Sequence, residues 1–177
     1  MTSQRTYPET EAGPFPEPPV TFEDGDGRDV EIRAYDEDDH DALVAMYDDF
    51  DPADRAQGIP PIGEERIHNW LEHLLGEGCK NVIALGGGEV VGHATLVEDE
   101  NGAYELAIFV HQDYQGAGIG TQLLETLLGY GKVEDVEKVW LTVERWNRPA
   151  VKLYEKVAIE TTEAESFELE MAIRLTE

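Results

Sequence analysis

The hexapeptide Gln115-Gly116-Ala117-Gly118-Ile119-Gly120 constrains this chain more than any other feature, because of what flanks it. Ahead of it, Ala103 to Val110 is almost wholly apolar apart from Glu105, the pattern of a buried strand. Behind it, Leu123, Leu124, Leu127 and Leu128 repeat at helical spacing. A glycine loop that leaves a strand and opens a helix collects backbone N–H groups at the positive end of the helix dipole, where an anion is stabilised. Glycines at 116, 118 and 120 allow close approach, and the unpaired amides of the first turn supply donors. Taken alone, such a loop is equally an ordinary strand-to-helix turn. Two nucleotide loops are excluded by spacing. A P-loop needs Gly-Lys followed by Ser or Thr, whereas Gly131-Lys132 is followed by Val133. The dinucleotide fingerprint needs its third Gly where Thr121 stands, and the chain does not begin with the strand-helix-strand units of that fold, so a nicotinamide-dependent oxidoreductase is disfavoured.

The rest of the chain supplies one domain around this loop. Residues 1–27 hold five of the nine prolines and little apolar periodicity, which predicts a flexible acidic arm ahead of a domain over 28–177. A strand is expected near Asp29 to Tyr35. The acidic run Asp36 to Asp41 lacks the spacing of a calcium loop and suits a helix N-terminus. Leu43, Met46, Tyr47 and Phe50, then Ile67, Trp70, Leu71 and Leu74, mark two amphipathic helices. His68 and His73 fall on different sides of the second helix, so no metal site is read. Val82 to Leu85, Gly86-Gly87-Gly88 and Val90 to Val97 predict a hairpin, with Ala103 to Val110 continuing the meander. After the loop helix come a strand at Val139, Leu141 and Val143, a helix at Ala150, Leu153, Tyr154 and Val157, and a last strand alternating from Phe167 to Leu175.

The 177 residues carry 39 Asp and Glu against 13 Lys and Arg, a formal charge of −26, which disfavours nucleic acid as a partner. With 41% hydrophobic residues this is no disordered composition; it reads as an acidic solvated shell of the kind expected in a high-salt cytoplasm, where about 1 M salt shortens the Debye length to roughly 3 Å. A lone Cys79 excludes an internal disulfide and reads as a small buried hydrophobe. The absence of a signal-like segment or an apolar run near 18 residues predicts a cytoplasmic protein that does not engage membranes.

Over roughly residues 29–175 the sequence resembles the GNAT family of N-acetyltransferases. Two segments carry the resemblance. Leu106-Ala107-Ile108-Phe109-Val110-His111-Gln112-Asp113-Tyr114 leading into Gln115 to Gly120 is similar to the family's strand and pyrophosphate loop. Trp140-Leu141-Thr142-Val143-Glu144, followed by Asn147, Ala150, Leu153, Tyr154 and Lys156, is similar to its next strand and helix. The resemblance implies an α/β fold of the α+β type, a single domain with a mixed, mostly antiparallel sheet of six or seven strands flanked by four helices and splayed between the family's fourth and fifth strands. It implies acetyl-coenzyme A as cosubstrate, with no metal. The backbone of Ile108, Phe109 and Val110 would pair with the pantetheine arm; Gln115, Gly116, Ala117, Gly118, Ile119, Gly120 and Thr121 would hold the pyrophosphate; Asn147 would contact the cofactor.

By the same resemblance Glu105 is the expected general base and Tyr154 the general acid. The chemistry agrees: an ammonium must lose a proton before attack, and a carboxylate in an apolar strand has a raised pKa suited to accepting it. A phenol can protonate the departing thiolate. In isolation Glu105 reads equally as an ion-paired strand-end carboxylate and Tyr154 as a core residue. The sequence departs from the family in two places. Ala158-Ile159 stand where a Gly-Phe pair usually ends the helix, and Ala117 stands where many relatives carry Arg or Lys, leaving phosphate affinity to backbone amides and to Arg148 or Lys152. The function implied is transfer of an acetyl group to a primary amine, on a small molecule or a protein lysine, by a monomer or homodimer; the alternative is a catalytically silent acyl-CoA sensor of the same fold.

Overall fold

The computed structural model describes residues 5–54, 59–164 and 167–176. Its strands and helices run β1 (Val20–Glu23), β2 (Asp29–Ala34), α1 (His40–Asp48), α2 (Glu64–Leu74), β3 (Lys80–Gly86), β4 (Glu89–Glu98), β5 (Tyr104–Val110), α3 (Ile119–Val133), β6 (Lys138–Glu144), α4 (Arg148–Lys156), β7 (Glu160–Ala164) and β8 (Glu168–Arg174). The acidic run is a helix start, as its residues predict: the Asp36 carboxylate accepts the Asp38 N–H at 3.0 Å and Asp39 reaches back to the Asp36 N–H.

The eight strands form one sheet in the order β1-β2-β3-β4-β5-β6-β8-β7. Every neighbouring pair is antiparallel except β5 and β6, which are parallel. The sheet thus has more strands than the sequence predicts. β7, Glu-Thr-Thr-Glu-Ala, is an exposed edge strand with no apolar face to announce it. β1 lies inside the segment read as an arm.

Period-two alternation sends the strands' apolar residues to both faces. On one face Leu43 and Tyr47 of α1 and Ile67 and Leu71 of α2 pack over Ile83, Val90 and Phe109. A buried polar chain runs through this layer: the Tyr47 hydroxyl lies 2.6 Å from His93 Nδ1, His93 Nε2 lies 2.7 Å from Asn81 Oδ1, and Asn81 Nδ2 donates to the Leu74 carbonyl at 2.9 Å. On the opposite face α3 presents Leu123, Leu124, Leu127 and Leu128, with Tyr154 and Val157 of α4, to Val82, Ala94, Leu96 and Leu141. His40 Nε2, at the start of α1, and His68 Nδ1, in the middle of α2, meet at 2.9 Å.

The described part of the first 27 residues is not a free arm. Ala12, Phe15 and Phe22 pack on the main core, Ala12 N–H donates to the Arg174 carbonyl at 2.8 Å, and Arg174 Nε donates to the Pro8 carbonyl at 2.8 Å. The chain then passes over α3, where the Pro16 carbonyl lies against Gly129. β1 closes the sheet edge by pairing Val20 to Ile32 and Phe22 to Val30. Prolines removed the helical or strand periodicity without removing the apolar side chains that anchor the segment, so composition understated its order. Cys79 also departs from expectation: it is partly exposed, and burial pushes its thiol up, leaving it protonated. No described helix is long and apolar enough to cross a membrane.

Candidate active site

β5 and β6 pair only at Tyr104 with Val139 and at Glu105 with Trp140, then diverge. Beyond that point β5 stays bonded to β4 through Val110, while its other edge faces a gap. An extended edge with unpaired N–H and C=O groups is a template for an added strand-like ligand. The gap is a cavity of about 560 Å³ walled by Glu105 to Val110 of β5, Thr142 to Glu144 of β6, Ala150, Leu153 and Tyr154 of α4, and Gly116 and Gly120 of the loop. A more open groove of about 860 Å³ over β1, β2 and the Gly87-Gly88 turn lies apart from these residues.

The loop has the conformation its glycines predict. Gly116 and Gly118 take φ of 73° and 86°, and α3 begins at Ile119 with no side chain capping its first amides. Those free N–H groups are the donors a polyphosphate needs. Gln115 Nε2 donates to the Val110 carbonyl at 3.0 Å and ties the loop to β5. Two further contacts were not legible in sequence. Gly25 N–H donates to the Ala117 carbonyl at 2.8 Å, and Arg28 both stacks 4.0 Å over the Tyr114 ring and donates to the Asp113 carbonyl at 3.0 Å. Arg28 is held by buried Asp24 at 2.8 Å. Burial opposes ionisation of Asp24, yet the N–H groups of Arg28 and Asp26 and the guanidinium outweigh it and keep the carboxyl below its ordinary value. The missed signal was the alternation Val20-Thr21-Phe22-Glu23 followed by Asp24-Gly25-Asp26-Gly27, a hairpin pattern ending against the loop.

Of the residues singled out in the sequence, Glu105, Ile108, Phe109, Val110, Gln115, Gly116, Gly120, Asn147 and Tyr154 all line the one cavity. Ala117 and Ile119 are buried beneath the loop, and Gly118 and Thr121 complete its turn without lining the cavity. Asn147 is the N-cap of α4, its side chain accepting the Ala150 N–H at 3.4 Å. Ile59, Tyr114 and Glu144 line the cavity as well and were not foreseen. On the α1 side, Asp49 accepts from His111 Nε2 at 2.8 Å through its carboxylate and from Gln112 Nε2 at 2.7 Å through its carbonyl, fixing the end of α1 to the strand that leads into the loop.

Glu105 and Tyr154 sit in contrasting surroundings. Glu105 stands at the fork, open to solvent along the cavity yet crowded by its walls; burial raises its pKa, Arg5 opposes that rise and Asp99 adds to it. Tyr154 is 9% exposed, and burial pushes its phenol up to about 12. Nothing among the described residues hydrogen-bonds its hydroxyl, unusual for a buried tyrosine and consistent with a partner supplied by a ligand. The site can therefore accept a proton at Glu105, donate one at Tyr154 and hold an anionic tail at the α3 N-terminus. The described residues contain no group of three or more metal-ligating side chains.

The family model described as the Acetyltransferase (GNAT) family matches residues 43–158. An acetyltransferase of Pectobacterium atrosepticum is 27% identical over 134 residues, covering 76% of this chain and 90% of that protein. An L-methionine sulfoximine/L-methionine sulfone acetyltransferase of Pseudomonas aeruginosa is 25% identical over 106 residues, 56% of this chain and 62% of its own length. Among solved structures, the GNAT domain of S. lividans PAT superposes with a TM-score of 0.74 at 16% identity, over 89% of this chain and 97% of that one. YncA of Salmonella typhimurium, solved with its cofactor acetyl-CoA, superposes at 0.68 and 19% identity over 84% and 95%. The sheet forked after Glu105, the glycine loop at the head of α3 and the match over most of the chain give one conclusion: this chain belongs to the GNAT family and is an N-acetyltransferase.

Proposed function

We propose that the chain moves an acetyl group from acetyl-CoA to a primary amine by direct attack, with Glu105 as general base and Tyr154 as general acid. The observation that carries this reading is the shared cavity: a carboxylate at the fork and a buried hydroxyl with no hydrogen-bond partner among the described residues face the same space, and that space ends at the uncapped amides of α3. The free edge of β5 from Leu106 to Val110 suits the pantetheine arm, and Gln115 to Thr121 suit the pyrophosphate. Acetyl-CoA supplies a thioester carbonyl open to attack and a thiolate leaving group.

Glu105 takes the proton of the incoming ammonium, directly or through a water, and its raised pKa strengthens it as a base. Tyr154 stays protonated across the working pH range because burial holds its phenol near 12, so the proton is available to the sulfur as it departs. A silent acyl-CoA sensor would require neither group. Among similar proteins, the Pseudomonas enzyme is an acetyltransferase of L-methionine sulfoximine and sulfone, and a Brucella melitensis protein, 25% identical with a TM-score of 0.67, is a ribosomal-protein-alanine N-acetyltransferase. Mass spectrometry of the products formed from acetyl-CoA and a panel of small amines and lysine peptides, in high salt, tests the reading. Acetylated product that disappears in Glu105→Gln supports it; no N-acetylated product from any amine overturns it.

A further inference from the structure

The face of the sheet that α1 and α2 leave open carries a row of side chains that the acetyl-transfer reading does not use. Val139, Leu141 and Val143 of β6 and Met171 and Ile173 of β8 point into the core beneath α3, so Trp140, Thr142, Glu170 and Ala172 share the other face. Glu105 faces Trp140 across β5 and β6, Trp140 faces Ala172 across β6 and β8, and Glu170 faces Thr142, which lines the cavity. The Trp140 ring is fixed in its plane by its Nε1–H, which donates to Asp99 Oδ2 at 2.9 Å.

A cation already sits on this row. The Arg5 guanidinium lies with Cζ 3.3 Å from the Trp140 ring centroid, and its Nε donates to Glu170 Oε1 at 2.8 Å. A planar cation stacked on an indole and paired with a carboxylate has the two contacts by which proteins recognise a positively charged group. Its charge also reaches Glu105, where it opposes the rise in pKa that burial causes. The segment that delivers it forms neither helix nor strand: from Arg5 to Ala12 it is held by the Pro8 and Ala12 contacts with Arg174 and by Tyr7 against Trp140 and Ala172. Such a segment opens at low cost compared with a strand of the sheet.

We propose that Trp140 and Glu170 form a cation subsite on the acceptor side of the fork, filled in cis by Arg5, so that the chain favours acceptors carrying a second positive charge a short spacer away from the reacting amine. This rests on the reading of Glu105 as the residue that receives the amine. Adjacent strands are about 4.8 Å apart, so an amine presented to Glu105 and a second cation over the Trp140 ring need only a short alkyl chain between them. Acceptor and Arg5 then compete for one place, and the N-terminal segment becomes the element that an acceptor must displace.

The test separates binding from transfer. Calorimetric titration of cadaverine into the full-length wild type, Arg5→Ala and Glu170→Gln, at fixed high salt, measures the subsite without any need for acetyl-CoA, and pentylamine serves as the probe lacking the second cation. The expected result is about tenfold tighter cadaverine binding in Arg5→Ala and about tenfold weaker binding in Glu170→Gln, with the cadaverine-to-pentylamine preference moving in the same directions. A cadaverine Kd identical in all three proteins overturns the proposal. So does tighter binding of an amino-acid carboxylate to the wild type than to Arg5→Ala, which would make Arg5 a ligand for acceptor carboxylates. Turnover with acetyl-CoA is read separately: loss of transfer with the cadaverine shifts intact would defeat the catalytic reading and leave the subsite standing.

Discussion

Glu105 and Trp140 face each other at the second and final paired position of β5 and β6, so the proposed base stands where the sheet opens. The position couples three things that are usually separate: the carboxylate is on a rigid strand, it borders the cavity, and Arg5 on the Trp140 face lowers the same pKa that burial raises. The reactivity of Glu105 is therefore set partly by Arg5, a residue at the far N-terminal end of the described chain.

Glu105→Gln should lower turnover by about 10²-fold or more with little change in acetyl-CoA affinity, and the loss should shrink as pH rises and free amine accumulates. Stability should move the other way. A carboxyl whose folded pKa is raised contributes stability at low pH that is lost as pH rises through the folded value, so removing the charge should stabilise the fold at neutral pH. Steady-state kinetics and urea melts on one preparation check both signs; unchanged turnover on the true acceptor at every pH would remove Glu105 from the mechanism.

Tyr154→Phe keeps the packing and removes one hydroxyl that has no described protein partner, so it should cost little stability at neutral pH and about 10²-fold in turnover. In the wild type the phenol, ordinarily at 10, is held near 12, which contributes stability that is fully present below 10 and lost between 10 and about 12. The Phe variant should lack this alkaline decline, as measured by denaturant melts across that window.

Gly118→Val should abolish acetyl-CoA binding in calorimetry while the domain still melts cooperatively, because φ of 86° at the head of α3 is closed to a β-branched residue. Two other positions make opposite predictions about glycine. Ala158 ends α4 with φ of 72°, the place where glycine is favoured, and Ala158→Gly should stabilise the protein by about 1 kcal/mol. Gly129 lies mid-helix, where alanine normally gains about 0.5–1 kcal/mol, yet a Cβ there would run into the Pro16 carbonyl. Gly129→Ala should therefore destabilise by about 1–3 kcal/mol through displacement of the N-terminal segment. Equal melting temperatures for wild type and Gly129→Ala would mean that the segment is not packed there.

His93 should make the fold acid-sensitive. Asn81 donates its amide to Leu74, so its oxygen accepts from His93 Nε2–H, and His93 Nδ1 accepts from the Tyr47 hydroxyl; the ring is neutral with every polar atom satisfied. Burial lowers its pKa from 6.5 to about 3. Below about 6.5 the unfolded chain binds a proton that the folded chain refuses, so stability should fall by up to about 1.4 kcal/mol per pH unit toward 3. His93→Gln should remove this component, and a stability difference between the two proteins that did not vary with pH would contradict a neutral buried ring.

Removal of residues 1–27 should weaken cofactor binding. The deletion would strip β1 from the sheet edge and take away the Gly25 contact to Ala117 and the Asp24 that holds Arg28 against Tyr114. A raised KM for acetyl-CoA and a lower Tm are expected.

What the sequence determined by itself was local. Periodicity placed α1, α2, the β3–β4 hairpin, α3 and β8, because each buries a face whose apolar spacing is written into consecutive residues. Glycine spacing placed the loop, since positive φ is a property of the residue itself. The tertiary structure decided what depends on residues distant in sequence. β5 and β6 part after one residue pair past Tyr104, and nothing within either strand encodes that divergence. Asp24 and Arg28 brace a loop some ninety residues away, and Arg5 lies on Trp140, because a chain without periodicity can still be ordered by a few anchored side chains. The pKa values of Glu105, Tyr154 and His93 belong to the same category: residue type sets the ordinary value, and only the neighbours assembled by the fold set the departure from it.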